Sequence, residues 1–111
     1  MQLVPITEML HRAQEGGYGV GSFSARNTFL IDAVLRAAQA QRSPVIVQIS
    51  ANEFGWFDVT AKEFAERFYA VHKNYEGQAV LHLDHTKDPA VIKDAIDAGF
   101  MSVMIDASQK G

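Results

Sequence analysis

The chain contains no cysteine among its 111 residues. This absence excludes a disulfide-stabilised scaffold and a metal site built from thiolates. Any metal ion would therefore have to be held by histidine, aspartate or glutamate side chains. With hydrophobic residues at 48% and charged residues at 21%, the composition is that of an ordinary globular domain.

The sequence also lacks an excess of basic residues and a long apolar run. Thirteen acidic residues outnumber ten Lys and Arg, the net charge is -3, and the basic residues are scattered, which argues against a nucleic-acid partner. No run approaches the roughly 18 apolar residues of a membrane span, and the first residues do not resemble a signal peptide. These observations predict a cytoplasmic protein that contacts neither nucleic acid nor membrane.

What the sequence does contain is a regular alternation of helical and extended patterns. The predicted helices cover residues 6–15, 28–41, about 60–75, and 89–98. The predicted strands cover 19–24, 45–50, 79–83 and 102–105, and residues 52–58 are expected to form a loop. Such alternation predicts right-handed crossovers and a parallel α/β sheet.

Two architectures share this pattern. The chain could supply the first four βα units of a TIM (β/α)8 barrel after an amino-terminal helix, or part of a doubly wound sheet. No GxGxxG motif follows any predicted strand, so the dinucleotide-binding interpretation lacks its phosphate loop. In either case residues 1–111 are treated as a single domain.

Each predicted strand ends in polar residues, where parallel α/β proteins bind their ligands. Since side chains two apart share a face of a strand, His82 and Asp84 should point to the same side and Leu81 and Leu83 to the helices. A charged aspartate on an inner face needs a partner. One alternative is that His82 and Asp84 simply satisfy each other.

The third strand carries the most informative motif. Val80-Leu81-His82-Leu83-Asp84-His85 resembles the first signature of class II fructose- and tagatose-bisphosphate aldolases. Residues 17–23, 43–50 and 98–106 resemble that family's first, second and fourth strands, in the correct order. The resemblance covers nearly the whole chain and implies the amino-terminal half of a TIM barrel.

The resemblance also implies roles for individual residues. It assigns proton exchange with the C4 hydroxyl of the substrate to Asp84 and zinc ligation to His85, and it places Ser50 near the substrate. Zn2+ would be the cofactor, acting as a Lewis acid on the ketone. The implied reaction is reversible cleavage of fructose or tagatose 1,6-bisphosphate to dihydroxyacetone phosphate and glyceraldehyde 3-phosphate, by a homo-oligomeric enzyme.

This sequence departs from the family pattern in places. Ser24 stands where the family often has asparagine, and Thr86 follows the motif where a small residue or histidine is usual. The family's second signature, its other zinc-binding histidines and its phosphate-binding loops would lie beyond residue 111. We therefore expect the chain alone to be inactive, with a non-catalytic assembly or regulatory subunit, or an unrelated small α/β binding module, as alternatives.

Overall fold

A computed structural model of the chain describes residues 1–25 and 27–105. Five strands and five α-helices alternate along it, with one short 3-10 helix. The strands are β1 (Gln2–Leu3), β2 (Gly21–Ser24), β3 (Val45–Ser50), β4 (Gln78–Thr86) and β5 (Ser102–Ile105). The helices are α1 (Ile6–Gly16), α2 (Thr28–Ala40), α3 (Ala51–Trp56), α4 (Ala61–Val71) and α5 (Pro89–Ala98), and the 3-10 helix is His72–Asn74.

The strands form one parallel sheet. Strand β2 pairs with β3, β3 with β4, and β4 with β5, so these four strands lie side by side in chain order. The short β1 pairs with the first residues of β4. This sequential order is the one predicted for successive βα units, and it excludes the order reversal of a doubly wound sheet among the described strands.

The helix boundaries follow local capping signals. The Asn27 side chain accepts hydrogen bonds from the backbone N–H groups of Phe29 and Leu30 at the start of α2. Thr60 and Glu63 form a reciprocal capping box that begins α4. Asp88 caps α5, whose first residue is Pro89 and whose C-terminus is closed by Gly99 at φ 107°.

The two faces of the sheet pack differently. One face is covered by helices α2 to α5 and forms the main hydrophobic core, to which the sheet contributes Val45, Val47, Ile49, Ala79, Leu81 and Leu83. The opposite face carries Ile46 and Val80, which pack with Val4 and Met9 from the start of the chain. Leu81 and Leu83 therefore face the helices, as the alternation predicted.

Several local predictions were wrong. Residues 51–56 form helix α3 rather than part of a loop, and β4 extends to Thr86 rather than ending at Leu83. The helix predicted to reach about residue 75 ends at Val71 as α4, and the 3-10 helix His72–Asn74 follows it. Strand β1 was not predicted, because two residues carry no periodicity and are held only by their pairing with β4.

Helix α2 buries one stripe of its apolar residues and leaves others exposed. Its buried residues are Ile31, Leu35 and Ala38, spaced as one helical stripe, while Phe29 is 81% exposed. Among the described residues, no helix combines the length and apolar character needed to cross a membrane.

Candidate active site

The register of the sheet brings polar side chains from three adjacent strands together on its inner face. Gln48 on β3 aligns with His82 on β4, and His82 aligns with Ser102 on β5. One step further toward the carboxyl ends, Ser50 aligns with Asp84. These residues lie above the apolar layer of Ile46 and Val80, so the inner face changes from apolar to polar along the strands.

An irregularity in β4 sets the direction of the His85 side chain. Leu83 pairs with Val103 but Thr86 pairs with Ile105, so β4 carries one more residue than β5 in this interval. Such a β-bulge re-aims side chains and is common beside active sites. His85 has φ 44°, a left-handed conformation that is costly for a residue with a side chain. Its side chain is consequently 58% exposed instead of packing against helices like Leu83.

Asp84 is the centre of the polar cluster. Its Oδ2 atom lies 3.3 Å from His85 Nε2 and 3.5 Å from Gln48 Nε2. Its Oδ1 atom lies 3.9 Å from His82 Nε2, which is longer than a hydrogen bond. His82 and Asp84 therefore face each other, as the alternative of mutual satisfaction requires, but each also has a closer polar partner.

Those closer partners extend the cluster to the outer strands. The Ser22 hydroxyl on β2 donates to Gln48 Oε1 over 2.5 Å. On the other side, Ser102 Oγ lies 2.6 Å from His82 Nδ1. Polar side chains therefore extend across the inner face from β2 to β5 with Asp84 at the middle, although the 3.9 Å separation between His82 and Asp84 is not a hydrogen bond.

His82 lies in a partly dry environment. Its side chain is 13% exposed, and burial lowers its pKa below the ordinary value of 6.5, while the nearby Asp84 carboxylate opposes that shift. Because burial is the larger effect, His82 is a neutral imidazole near pH 7, with one ring nitrogen as donor and the other as acceptor.

Ser50 is fixed at the junction between β3 and α3. Its backbone N–H donates to Glu53 Oε1 over 2.9 Å, and Glu53 itself is only 7% exposed. The turn from strand into helix therefore begins at Ser50, next to the register position of Asp84.

The structure thus places the three predicted site residues at one edge of the sheet. Ser50 and Asp84 are register partners, and His85 contacts Asp84 directly. Asp106, which follows the fourth predicted strand, lies outside the described residues. Of the remaining histidines, His11 pairs with Glu15 on α1 and His72 is half-buried.

Sequence reasoning missed two members of the site. Ser102 was assigned only to the body of the fourth strand, and Glu53 was placed in a loop. No signal within the sequence identified Ser102, because its alignment with His82 comes from the register of β4 and β5. The signal for Glu53 was the Ser-x-x-Glu spacing after Ser50, a capping-box pattern at the start of a helix.

The described residues do not complete a metal site. Residues 1–25 and 27–105 contain no group of three histidine, aspartate or glutamate side chains arranged to hold a metal ion. His85 is a suitable single ligand, because its imidazole is exposed at the carboxyl end of β4. A catalytic zinc site needs about three protein ligands, so the described residues do not form one by themselves.

Comparison with known proteins gives a consistent result. The family model for class II fructose-bisphosphate aldolase matches residues 4–111. A fructose-bisphosphate aldolase of Staphylococcus epidermidis is 39% identical and one of Staphylococcus aureus is 38% identical, each over 97% of this chain. The chain spans 38% of the length of these relatives.

The fold agrees with a solved structure as well. The YdjI aldolase from Escherichia coli K12 superimposes with a TM-score of 0.88 over 99% of this chain and 41% of its own, at 24% sequence identity. At that identity the likeness establishes a common α/β fold with a parallel sheet. The sequence comparisons establish the relationship itself: the chain belongs to the class II fructose-bisphosphate aldolase family.

Proposed function

We propose that this chain is the amino-terminal part, and the first four βα units, of a TIM-barrel aldolase that cleaves a phosphorylated ketose. The substrate would be fructose 1,6-bisphosphate or tagatose 1,6-bisphosphate, and the products dihydroxyacetone phosphate and glyceraldehyde 3-phosphate. The observation that carries the proposal is the contact of His85 with the Asp84 carboxylate, at 3.3 Å, beside the end of β3.

In this proposal Asp84 is the general base of the cleavage direction. It takes the proton of the C4 hydroxyl as the C3–C4 bond breaks, C4 becomes the aldehyde carbon, and the bonding electrons pass to C3. In the synthetic direction the same carboxyl returns the proton. Its position suits this role, since its side chain is 18% exposed at the polar end of the inner face.

His85 would be one ligand of a zinc ion, and Ser50 would contact the substrate. When bound, the metal supplies Lewis-acid polarisation of the ketone. Because the described residues provide a single candidate ligand, the remaining ligands must come from outside them. A cytoplasmic, homo-oligomeric enzyme is part of the same proposal.

A hybrid enzyme tests the proposal. The chain is joined to the carboxy-terminal remainder of the Staphylococcus epidermidis relative, and cleavage of both bisphosphates is measured beside that relative itself. We expect the hybrid to cleave at least one of them. Asp84→Asn should lower kcat by about 10²–10⁴-fold while leaving metal content unchanged. His85→Ala should instead lower the metal content.

Matched controls separate these effects from general damage. Asp88→Asn makes the same chemical change four residues away, and asparagine caps helices as well as aspartate does, so activity should be retained. His11→Ala removes an exposed histidine from α1 and should leave the metal content intact. A folded hybrid without activity, or normal turnover in Asp84→Asn, would contradict the proposal and favour the non-catalytic subunit.

A further inference from the structure

The polar contacts on the inner face have a direction that the chemistry of each group determines. An ionised carboxylate can only accept hydrogen bonds, so Asp84 requires donors from every side. Gln48 must therefore present its Nε2 amide to Asp84 Oδ2, which leaves Oε1 facing Ser22. Since Oε1 is an acceptor, the Ser22 hydroxyl is the donor in the 2.5 Å contact.

The same reasoning applies on the other side. His82 turns Nε2 toward Asp84 Oδ1 at 3.9 Å, and a lone pair there would repel the carboxylate. The neutral ring therefore carries its proton on Nε2, and Nδ1 becomes an acceptor. Ser102, whose Oγ lies 2.6 Å from Nδ1, must then be the donor. At 3.9 Å the Nε2–H group acts on Asp84 through its dipole rather than through a full hydrogen bond.

We propose that Ser22 and Ser102 are positioning residues for Asp84, one acting through Gln48 and the other through His82. The serine hydroxyls fix which end of the amide and which tautomer of the imidazole face the carboxylate. Both donor series start on strands that flank β3 and β4 and converge on the same side chain. This inference rests on the proposed function only where it concerns catalysis.

The consequence is an Asp84 carboxylate held in one orientation before substrate arrives. Gln48 and His85 both approach Oδ2, whereas Oδ1 faces only the dipole of His82 among the contacts of the described residues. Oδ1 is therefore the freer oxygen and the one from which proton transfer to and from the substrate hydroxyl would occur. Without Ser22, the Gln48 amide can turn Oε1 instead of Nε2 toward the carboxylate. Without Ser102, the His82 ring can adopt the tautomer that leaves Nε2 unprotonated.

A direct test uses the chain itself and needs no catalysis. In chain labelled with 15N at histidine, we expect the His82 ring to show a protonated Nε2 and an unprotonated Nδ1. Ser102→Ala should yield a mixture of both tautomers, and Ser102→Thr should restore the single one. A predominant Nδ1–H tautomer in the unsubstituted chain would overturn the inference for this arm. So would an unchanged spectrum in Ser102→Ala.

The contact between Ser22 and Gln48 can be tested in an equivalent way. The side-chain amide protons of Gln48 should be protected from exchange with solvent, because Ser22 and Asp84 hold both ends of the amide. This protection should fall in Ser22→Ala and return in Ser22→Thr. Ser43→Ala, which removes an exposed hydroxyl far from the site, is the matched control. Equal protection in Ser22→Ala and in the unsubstituted chain would overturn this arm.

Kinetics of the hybrid enzyme test the catalytic consequence. Ser22→Ala and Ser102→Ala should each lower kcat about 10-fold with little change in KM, as expected for supporting residues that orient a reacting group. The threonine variants should recover most of that loss. A proportional rise in KM, or full activity in both alanine variants, contradicts the positioning role.

Failure of this inference and failure of the proposed function give different results. If Asp84 is not a catalytic base, the tautomer and exchange experiments still succeed while Asp84→Asn remains active. If the positioning inference is wrong, Asp84→Asn loses activity but the serine variants keep theirs and the His82 tautomer does not respond. The two sets of measurements therefore separate the two ideas.

Discussion

The left-handed backbone at His85 predicts that glycine stabilises this position relative to alanine, whereas glycine ordinarily destabilises a strand. At φ 44° a side chain meets the following carbonyl, at a cost of about 1–2 kcal/mol that glycine does not incur. Glycine loses more conformational freedom on folding than alanine does, which costs about 0.5–1 kcal/mol. The balance favours glycine at this position by about 0.5–1 kcal/mol, so His85→Gly should be more stable than His85→Ala.

Thermal and urea unfolding of the chain, followed by circular dichroism, measure this difference. A gain of that size raises Tm by about 2–4 °C in a chain of this length. The matched control is Ala33→Gly in the exposed middle of α2, where the same pair of residues should differ by about 1 kcal/mol in favour of alanine. The contrast between the two positions isolates the effect of backbone conformation.

A result in which glycine destabilises position 85 as it does position 33 would refute the reasoning. It would mean that β4 does not hold His85 in the left-handed conformation in solution. If the prediction holds, the native histidine is retained at a measurable cost in stability. That cost is explained by the exposed direction of its imidazole, which the bulge between β4 and β5 provides.

Three further substitutions test other contacts. Thr86→Val should raise the free energy of unfolding by about 1 kcal/mol, because the fully buried Thr86 hydroxyl has no partner among the described residues; a loss of stability in urea unfolding would reveal one. Asp32→Ala should lower it by about 1–2 kcal/mol, since Asp32 accepts from Arg67 and from the Tyr75 hydroxyl, and an unchanged midpoint would refute this. His82 has a lowered pKa in the folded chain, so its contribution to stability is complete above 6.5 and lost as pH falls below that value. His82→Gln should therefore lose less stability than the native chain between about pH 7 and 5, and parallel profiles would contradict this.

Local chemistry explains which elements could be predicted from the sequence. Helix α5 begins at Asp88 and Pro89 and ends before Gly99, and each of these residues acts through its own backbone or side chain. Strand β3 was predicted with its observed bounds because it has apolar residues on both faces, as is typical of a parallel strand that is buried on both sides. Such features need no information from distant parts of the chain.

Features that depend on distant contacts were predicted less well. The bulge that aims His85 exists only because β4 and β5 keep different spacings, which no pattern within β4 reveals. Likewise, α2 carries apolar residues on more than one side. Ile31 and Leu35 are buried and Phe29 is exposed because of where the helix meets the sheet. The difference in each case is tertiary rather than local.

The candidate site shows the same division. The motif predicted roles for Asp84 and His85, which the structure places in contact on β4. Alternation correctly placed His82 on the inner face, because it depends only on neighbours in one strand. The Ser22 contact depends on the register of β2 and β3, and the Ser102 contact depends on the register of β4 and β5. A shift of one residue in either pair would disrupt the corresponding contact.

This dependence also indicates what the sheet contributes to the chemistry. Within β4, Asp84 lies near His82 and His85, and His82 is too far away for a hydrogen bond. The amide donor that reaches its Oδ2 comes from β3. The hydroxyls that orient Gln48 and His82 come from β2 and β5. Parallel pairing in chain order therefore does more than place strand ends side by side. It brings polar side chains from four strands into one set of contacts centred on a single carboxylate.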